Sequence, residues 1–405
     1  MRPSSRRSGY IVPMTLVGCL VLAGCGSSEP ESSASSPATA AVESMQADAT
    51  RETSPATVNA PPASLSADAP RVGIVLPDAG EGMRWQDVDR PALEQSFAAR
   101  GLSVDIRNAQ GSPERFVAFA EQLASEQVKV LVVSSLDEAS GAAAISAGQQ
   151  AGIPVIELDH LTNGGRANFY VGPDPTASGQ VLGEGLLRCM RESGNENGPV
   201  AMVNGPGSDG VAAAMKQGYL TSIVGGGYVI RSSEDVPGWS PSSAGALFER
   251  MFTMSNGDLV GVVAASEGLT EAVTVVLDRY GQSGNLQAPL VPVAGVGSSP
   301  AALQRVLIGS QCVTVFTSPT AQAEAAAALA SAIVTGDGGA IAGLATGRLT
   351  DAGSGVEVQS VLLQPQPVFA GDVPGAVEGG LVSAAILCQP PEVQQACTRA
   401  GIKVR

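Results

Sequence analysis

Residues 103–133 read SVDIRNAQGSPERFVAFAEQLASEQVKVLVV and decide the fold class of this chain. The stretch opens with a short β-branched run from Ser103 to Ile106. It closes with the apolar run Val128 to Val133, which is typical of a strand in a sheet covered on both faces. Between them, Ser112 is a helix N-cap residue and Pro113 suits the first helical turn. Apolar residues then follow at helical spacing, at Phe116, Phe119, Ala120 and Leu123. The stretch therefore predicts a strand, a helix and a parallel strand.

The same unit recurs along the chain. Before and after the quoted stretch, Val72 to Leu76 and Ile153 to Leu158 read as buried strands, and a helical stretch runs from Pro91 to a stop at Gly101. A second set of strand patterns covers Pro199 to Val203, Tyr228 to Arg231, Leu259 to Ala264, Leu290 to Ala294 and Cys312 to Phe316. Two consecutive sets predict an α/β protein with two Rossmann-like parallel-sheet domains, a hinge and an interdomain cleft. Such sheets bind ligands at the carboxyl ends of their strands.

The N-terminus has the features of a secretory signal. Basic residues are followed by an apolar run from Tyr10 to Ala23 and by the sequence Leu22-Ala23-Gly24-Cys25, the pattern at which bacterial lipoproteins are cleaved and lipidated on the cysteine. Cys25 is the predicted lipidation site. An ordinary cleaved signal or a short anchor helix is the alternative, although the apolar run is short for a bilayer.

The amino-acid composition separates a low-complexity segment from the folded part of the chain. Up to about residue 70 it is rich in Ser, Ala, Pro and Thr, which predicts a disordered tether. The remaining residues exceed the size at which one core stops growing. The predicted division is a signal peptide at 1–24, a lipid-anchored tether at 25–70 and a folded part of two domains.

The chain is acidic, with a formal net charge of −15. An acidic surface argues against nucleic acid or anionic lipid as a partner. Four cysteines remain in the folded part, and an even number in an oxidising compartment suggests two disulfides with three possible pairings. Cys388 and Cys397 are close enough in sequence to pair with each other, which leaves Cys189 with Cys312.

One motif raises the possibility of an enzyme. Gly205-Pro206-Gly207-Ser208-Asp209-Gly210 is a G-x-G-x-x-G sequence between a strand and a helix, with Glu234 and Asp235 about 25 residues further on, as in dinucleotide-binding proteins. It lies in the second set of strands, however, and Pro206 is rigid. The alternative is a glycine-rich turn that brings Asp209 to the cleft. His160 is the only histidine of the chain, which leaves little for a catalytic triad or a zinc site. No cofactor, metal or catalytic step is expected.

A series of short motifs between residues 71 and about 385 resembles the D-xylose-type sugar-binding proteins, which are periplasmic binding proteins of type I. The matching stretches are, in order, VGIVLPDAGEGMRW (72–85), IPVIELDHLTNGGRANFY (153–170), VNGPGSDGVA (203–212), VPGW (236–239) and QCVTVF (311–316). The resemblance implies the type I fold and a sugar site between the two domains. It also implies their extents, an N-terminal α/β domain at 71–174 plus about 317–350 and a C-terminal α/β domain at 175–316 plus about 351–405.

The resemblance also assigns residues to that site. Arg84 would donate to ligand oxygens, Trp85 and Trp239 would stack on the apolar face of a sugar, and Asp159 and Asp209 would accept from its hydroxyls. Other positions depart from the family. His160 stands where arginine is expected, and the further departures are Val211 for asparagine, Ser266-Glu267 for an Asn-Asp pair, Gly297 for aspartate and Thr317 or Ser318 for lysine. His160 and Glu267 remain candidate ligand-binding residues.

The expected function is that of a monomeric, lipid-anchored extracytoplasmic protein that binds a sugar or sugar-like molecule and delivers it to an ABC permease. Because the altered positions would leave hydroxyls of a pentose unpaired, a ligand other than xylose is expected. The alternative is a signalling or structural lipoprotein that keeps the fold with a degenerate or non-sugar site.

Overall fold

The computed structural model describes residues 66, 68–77, 85–281 and 291–404. The predicted signal peptide, most of the tether, Cys25, Arg84 and Leu290 lie outside the described residues. The strands that the structure describes are β1 (Arg71–Leu76), β2 (Ser103–Asn108), β3 (Val130–Val133), β4 (Val155–Leu158), β5 (Phe169–Pro173), β6 (Pro199–Asn204), β7 (Val229–Asp235), β8 (Gly261–Ala264), β9 (Val293–Val296), β10 (Val313–Phe316), β11 (Gly347–Asp351), β12 (Val356–Leu363) and β13 (Gln366–Phe369).

Helices connect and cover these strands. They are α1 (Arg90–Ala98), α2 (Pro113–Ser125), α3 (Glu138–Gln150), α4 (Pro175–Glu192), α5 (Gly210–Gly225), α6 (Pro241–Met254), α7 (Glu267–Arg279), α8 (Pro300–Ile308), α9 (Pro319–Thr335), α10 (Gly338–Leu344), α11 (Val373–Glu378), α12 (Ala384–Leu387) and α13 (Pro391–Arg399). A π-helical turn at Trp85–Asp89 precedes α1, and a single 3₁₀ turn covers Pro237–Trp239. Among the described helices, none is both long enough and apolar enough to cross a membrane.

The strands form two sheets. Within the described residues, the first sheet has the order β11-β12-β5-β4-β3-β1-β2 and the second the order β13-β10-β9-β8-β6-β7. All neighbours pair in parallel except β11 with β12 and β10 with β13. The predicted class, two parallel-sheet α/β domains, is confirmed.

Helices cover both faces of the first sheet, which explains the buried apolar runs of its central strands β1 and β3. Leu93 and Phe97 of α1 pack on one face together with the alanine-rich α9. Phe116 and Leu123 of α2 pack on the opposite face, together with Ile145 of α3. Helix α2 begins where the sequence predicts, because the Ser112 hydroxyl accepts a hydrogen bond from the backbone N–H of Arg115 at 3.2 Å.

The first sheet continues past residue 350, where the sequence predicts that the N-terminal domain ends. Strand β12 continues to Leu363 and pairs with β5, so the chain remains in the first sheet until then. It returns to the second sheet only with β13, which pairs with β10. The sequence gives little sign of the hairpin β11–β12, because β11 alternates between half-buried and exposed residues and lacks the apolar run of a central strand. The chain therefore crosses between the sheets three times, after β5, β10 and β12.

Two disulfides lie in the second half of the chain. Cys189 of α4 is bonded to Cys312, directly before β10, with the sulfur atoms 2.03 Å apart. Cys388, at the end of α12, is bonded to Cys397 of α13, with the sulfurs 1.99 Å apart. These are the pairs that the sequence favours. The first bond holds a helix of the second domain against the strand that leads back to the first domain.

The two disulfides are expected to contribute unequally to stability. Cys189 and Cys312 are 123 residues apart and Cys388 and Cys397 only 9, and the entropy that a cross-link removes from the unfolded chain grows with the loop it closes. Replacing both cysteines of the long loop by serine should lower the free energy of unfolding by roughly 2 kcal/mol more than replacing those of the short loop. Urea denaturation of the two double variants measures the difference. Equal losses would contradict the expectation.

Candidate functional site

A cavity of about 500 Å³ lies where the carboxyl ends of the strands of the two sheets meet. This volume is within the range of small-molecule sites. The residues that line it are Trp85, Asp159, His160, Pro173, Ser178, Asp209, Val211, Met215, Trp239, Ser266, Glu267, Val296, Gly297, Ser298, Ser299, Val315, Phe316, Thr317 and Pro365. Several of them follow a strand directly, which is where parallel sheets place their ligands.

Six of the seven predicted ligand-binding residues line this one cavity, namely Trp85, Asp159, His160, Asp209, Trp239 and Glu267. The seventh, Arg84, lies outside the described residues. The positions at which the sequence departs from the family resemblance, Val211, Ser266, Gly297 and Thr317, line the cavity as well. Residues that are more than 230 positions apart in sequence are therefore brought together at one place.

Asp159 is positioned by a tight backbone turn at the end of β4. Its φ of 71° lies in the left-handed region, which aspartate tolerates better than most residues. Its backbone N–H donates to the carbonyl of Val171 at 2.9 Å, and that of His160 donates to Leu158 at 2.9 Å. The turn breaks the alternation of the strand and presents Asp159 and His160 together at the cavity.

His160 forms an ion pair with Glu138 at the start of α3. Its Nε2 lies 3.7 Å from Oε1 of Glu138, and both side chains are 47% exposed. Asn163 also binds Glu138, through its backbone N–H and through its side-chain amide at 3.1 Å. Burial lowers the pKa of His160, but the hydrogen bond and charge of Glu138, together with the charges of Glu157 and Asp159, outweigh it, and the pKa lies above the ordinary value of 6.5. Glu138 therefore supports a positive charge on His160 at the cavity wall.

The glycine-rich turn after β6 is shaped by packing. A Cβ atom on Gly205 would come within 2.2 Å of the Trp239 ring, so glycine lets the ring lie against the backbone. A Cβ atom on Gly207 would lie 2.8 Å from Oδ2 of Asp235. The spacing of glycines that suggested dinucleotide binding is thus required here for Trp239 and Asp235.

Asp209 has a structural role in this turn. Its Oδ1 accepts from the backbone N–H groups of Val211 and Ala212, at 2.8 and 3.0 Å, and so caps α5. Its Oδ2 accepts from Nε1 of Trp239 at 3.2 Å. Asp209 therefore fixes the orientation of Trp239, and both residues line the cavity.

A family profile described as periplasmic binding protein domain matches residues 72–338. The chain belongs to the periplasmic binding protein family. This confirms the family that the sequence motifs indicate.

Two curated relatives and a solved structure show what the chain is similar to. The D-xylose-binding periplasmic protein of Escherichia coli is 24% identical over 264 residues, which are 64% of this chain and 76% of the relative. The multiple sugar-binding periplasmic protein SbpA of Azospirillum brasilense is 24% identical over 267 residues, 62% of this chain and 74% of the relative. An ABC transporter solute binding protein from Clostridium phytofermentans with bound beta-D-glucose has a TM-score of 0.61 and 22% identity, and covers 78% of this chain and 99% of its own. The structural likeness shows the fold.

Sequence reasoning missed the apolar wall of the cavity in this periplasmic binding protein. That wall contains Pro173, Met215, Val296, Val315, Phe316 and Pro365. Val315 and Phe316 belong to the predicted strand β10, and an apolar strand end gives no sign in sequence of facing a cavity instead of the core. A hydroxyl interrupts this wall, because Thr317 is buried and no described residue forms a hydrogen bond with its Oγ1.

A buried carboxyl group, Glu157 of β4, lies behind the cavity wall. Its side chain is fully buried, its Oε1 accepts from the backbone N–H of Thr162 at 2.8 Å, and no described residue pairs with its Oε2. Burial raises the pKa of Glu157 to about 7, although the hydrogen bonds from Thr162 and the nearby His160 act in the opposite direction. Sequence inspection gave no reason to single out this glutamate.

Glu157 is expected to make the fold less stable as pH rises. Because its pKa in the folded protein lies above the ordinary 4.5, its stabilising contribution is complete below about pH 4.5 and is lost as pH rises through 7. Relative to Glu157→Gln, the free energy of unfolding of the wild type should fall by roughly 3 kcal/mol between pH 4.5 and 8. Denaturant titrations across this range measure it, with the exposed Glu121→Gln as control. Parallel pH profiles of wild type and Glu157→Gln would contradict the assignment.

Proposed function

We propose that this chain is the extracytoplasmic solute-binding lipoprotein of an ABC-type importer, and that it binds a sugar or sugar-like small molecule by closure of the two domains. The observation that carries the proposal is the composition of the cavity between the sheets. Both tryptophans of the chain line it, together with three carboxylates and a histidine. Aromatic faces combined with charged hydrogen-bonding groups suit the apolar faces and hydroxyls of a sugar.

The comparisons and the topology support this proposal. The relatives are sugar-binding periplasmic proteins by name, and the structure from Clostridium phytofermentans holds beta-D-glucose. Three chain crossings between two sheets form a hinge of the kind that closes on a ligand. The domains are residues 71–174 plus about 317–363 and residues 175–316 plus about 364–405, with the C-terminal boundary moved to follow β12.

Location and partners complete the proposal. The sequence Leu22-Ala23-Gly24-Cys25 supports lipidation of Cys25 on the outer face of the cell membrane, with the segment up to residue 70 as a tether. The closed, ligand-bound monomer would then dock on a membrane permease. The activity that we propose for the two domains is transport rather than catalysis. Nucleic acid is not a partner, given the acidic charge.

A second function, a signalling or structural lipoprotein with a degenerate or non-sugar site, is favoured by one observation. His160, Gly297 and Thr317 stand at the cavity where the resemblance implies arginine, aspartate and lysine. Each change removes or weakens a charged group that would bind a hydroxyl. Ligand binding separates the two proposals.

The two tryptophans provide a direct assay. Titration of the purified protein with D-xylose, D-glucose, D-ribose, L-arabinose and myo-inositol should change tryptophan fluorescence for at least one of them, because both rings line the cavity. The same compound at 100 times its Kd should add about 2.7 kcal/mol of stability in a thermal melt. A panel without any response in either assay would refute sugar binding and favour the second function.

Trp85 is expected to provide most of the stacking surface of the N-terminal wall. Trp85→Ala should weaken binding of the responding sugar about tenfold, whereas Trp85→Phe, which retains a flat ring, should lose much less. Isothermal titration calorimetry measures both affinities. If alanine and phenylalanine at this position bind alike, stacking on Trp85 plays no part in recognition.

A further inference from the structure

The C-terminal wall of the cavity contains one carboxylate whose position depends on a glycine. Glu267 is the first residue of α7, and its side chain is 23% exposed at the cavity. A Cβ atom on Gly297 would come within 2.2 Å of Oε2 of Glu267. The φ of Gly297, 142°, also lies in the region that favours glycine. Position 297 therefore cannot carry a side chain while Glu267 occupies this place.

Two groups hold the carboxylate there through its other oxygen, Oε1. The hydroxyl of Ser299 donates to Oε1 of Glu267, and the guanidinium of Arg305 lies 3.5 Å from the same atom. Ser299 is itself fixed, because its oxygen caps α8 by accepting from Ala302 at 3.2 Å. Arg305 is fixed by Gln311, which is fully buried and accepts from Nε of Arg305 at 3.2 Å.

These contacts leave one oxygen of the carboxylate available. Oε1 is occupied by Ser299 and Arg305, while no described residue donates a hydrogen bond to Oε2. Gly297 offers no side chain to shield Oε2, and both residues line the cavity. Arg305, whose side chain is only 12% exposed, already neutralises the charge of Glu267. An acceptor of this kind suits a neutral hydroxyl donor and does not require a cationic ligand.

We propose that Glu267, through Oε2, is the hydroxyl acceptor of the C-terminal wall and that Arg305 is its positioning residue. This inference rests on the proposed solute-binding function. Beyond that function, the inference identifies the side chain that determines specificity on the C-terminal wall, and it explains why position 297 is glycine.

The test compares Glu267→Gln with a control on the same helix. Glu271→Gln makes the same chemical change one turn further on, at an exposed position outside the cavity. Calorimetry is carried out with whichever of D-xylose, D-glucose and myo-inositol binds the wild type most tightly. Glu267→Gln should weaken binding about tenfold to a hundredfold, as expected when a charged acceptor is replaced by a neutral amide, and Glu271→Gln should leave it unchanged. Glu267→Asp, which keeps the charge but withdraws the carboxylate, should also weaken binding.

The role of Arg305 is tested by comparing a substitution that removes its charge with one that keeps it. Arg305→Met removes the charge that holds Glu267 and should weaken binding about tenfold, whereas Arg305→Lys should restore most of the affinity. Melting temperatures are measured in parallel. If Met and Lys bind equally weakly, or if the loss of affinity merely follows the loss of stability, Arg305 has a structural role only.

The outcomes separate this inference from the function on which it rests. A wild type that binds none of the three compounds contradicts both. A wild type that binds, together with Glu267→Gln that binds equally well, overturns the role of Glu267 and leaves solute binding intact.

Discussion

Parallel pairing of the strands is the constraint on which the rest of the structure depends. Strands β1–β5 and β6–β10 all run in the same direction within their sheets, so their carboxyl ends lie on one edge of each sheet. Asp159, Asp209 and Glu267 each follow such an end within a few residues. The cavity is therefore a result of topology, and the side chains that line it need no long loops to reach it.

The sequence was sufficient for the parts of the fold that repeat. Continuous apolar runs indicate central strands, and capping residues such as Ser112 mark helix starts, because both signals are local. The hairpin β11–β12 could not be predicted in this way. Its first strand is half exposed at the edge of the sheet, and its place next to β5 depends on contacts between residues about 190 positions apart. Tertiary pairing, rather than local propensity, decides where that segment belongs.

The residues of the candidate site fall into the same two groups, those that a local sequence signal reveals and those that only the tertiary structure reveals. Residues with a distinctive chemistry at a strand end, such as Trp239 and Asp159, are visible in sequence. Their partners are not, since Arg305 lies 38 residues from Glu267 on another helix and no spacing rule connects them. Gly297 is an informative case. As a sequence feature it signified only a missing aspartate, whereas the structure shows that its missing side chain makes room for the carboxylate of Glu267.

The hairpin that the sequence did not reveal also connects the two walls of the cavity. Asp351, at the end of β11, accepts from the backbone N–H of Gly164 at 2.6 Å and of Arg166 at 3.1 Å, and so holds the loop that begins at His160. On its other side the hairpin meets the start of α5, where a Cβ atom on Gly210 would lie 3.3 Å from the carbonyl of Thr350. The side chain of Asp351 and the backbone at Thr350 therefore connect the hairpin to both walls. Neither Asp351 nor Thr350 lines the cavity, so this connection does not depend on the side chains that face it.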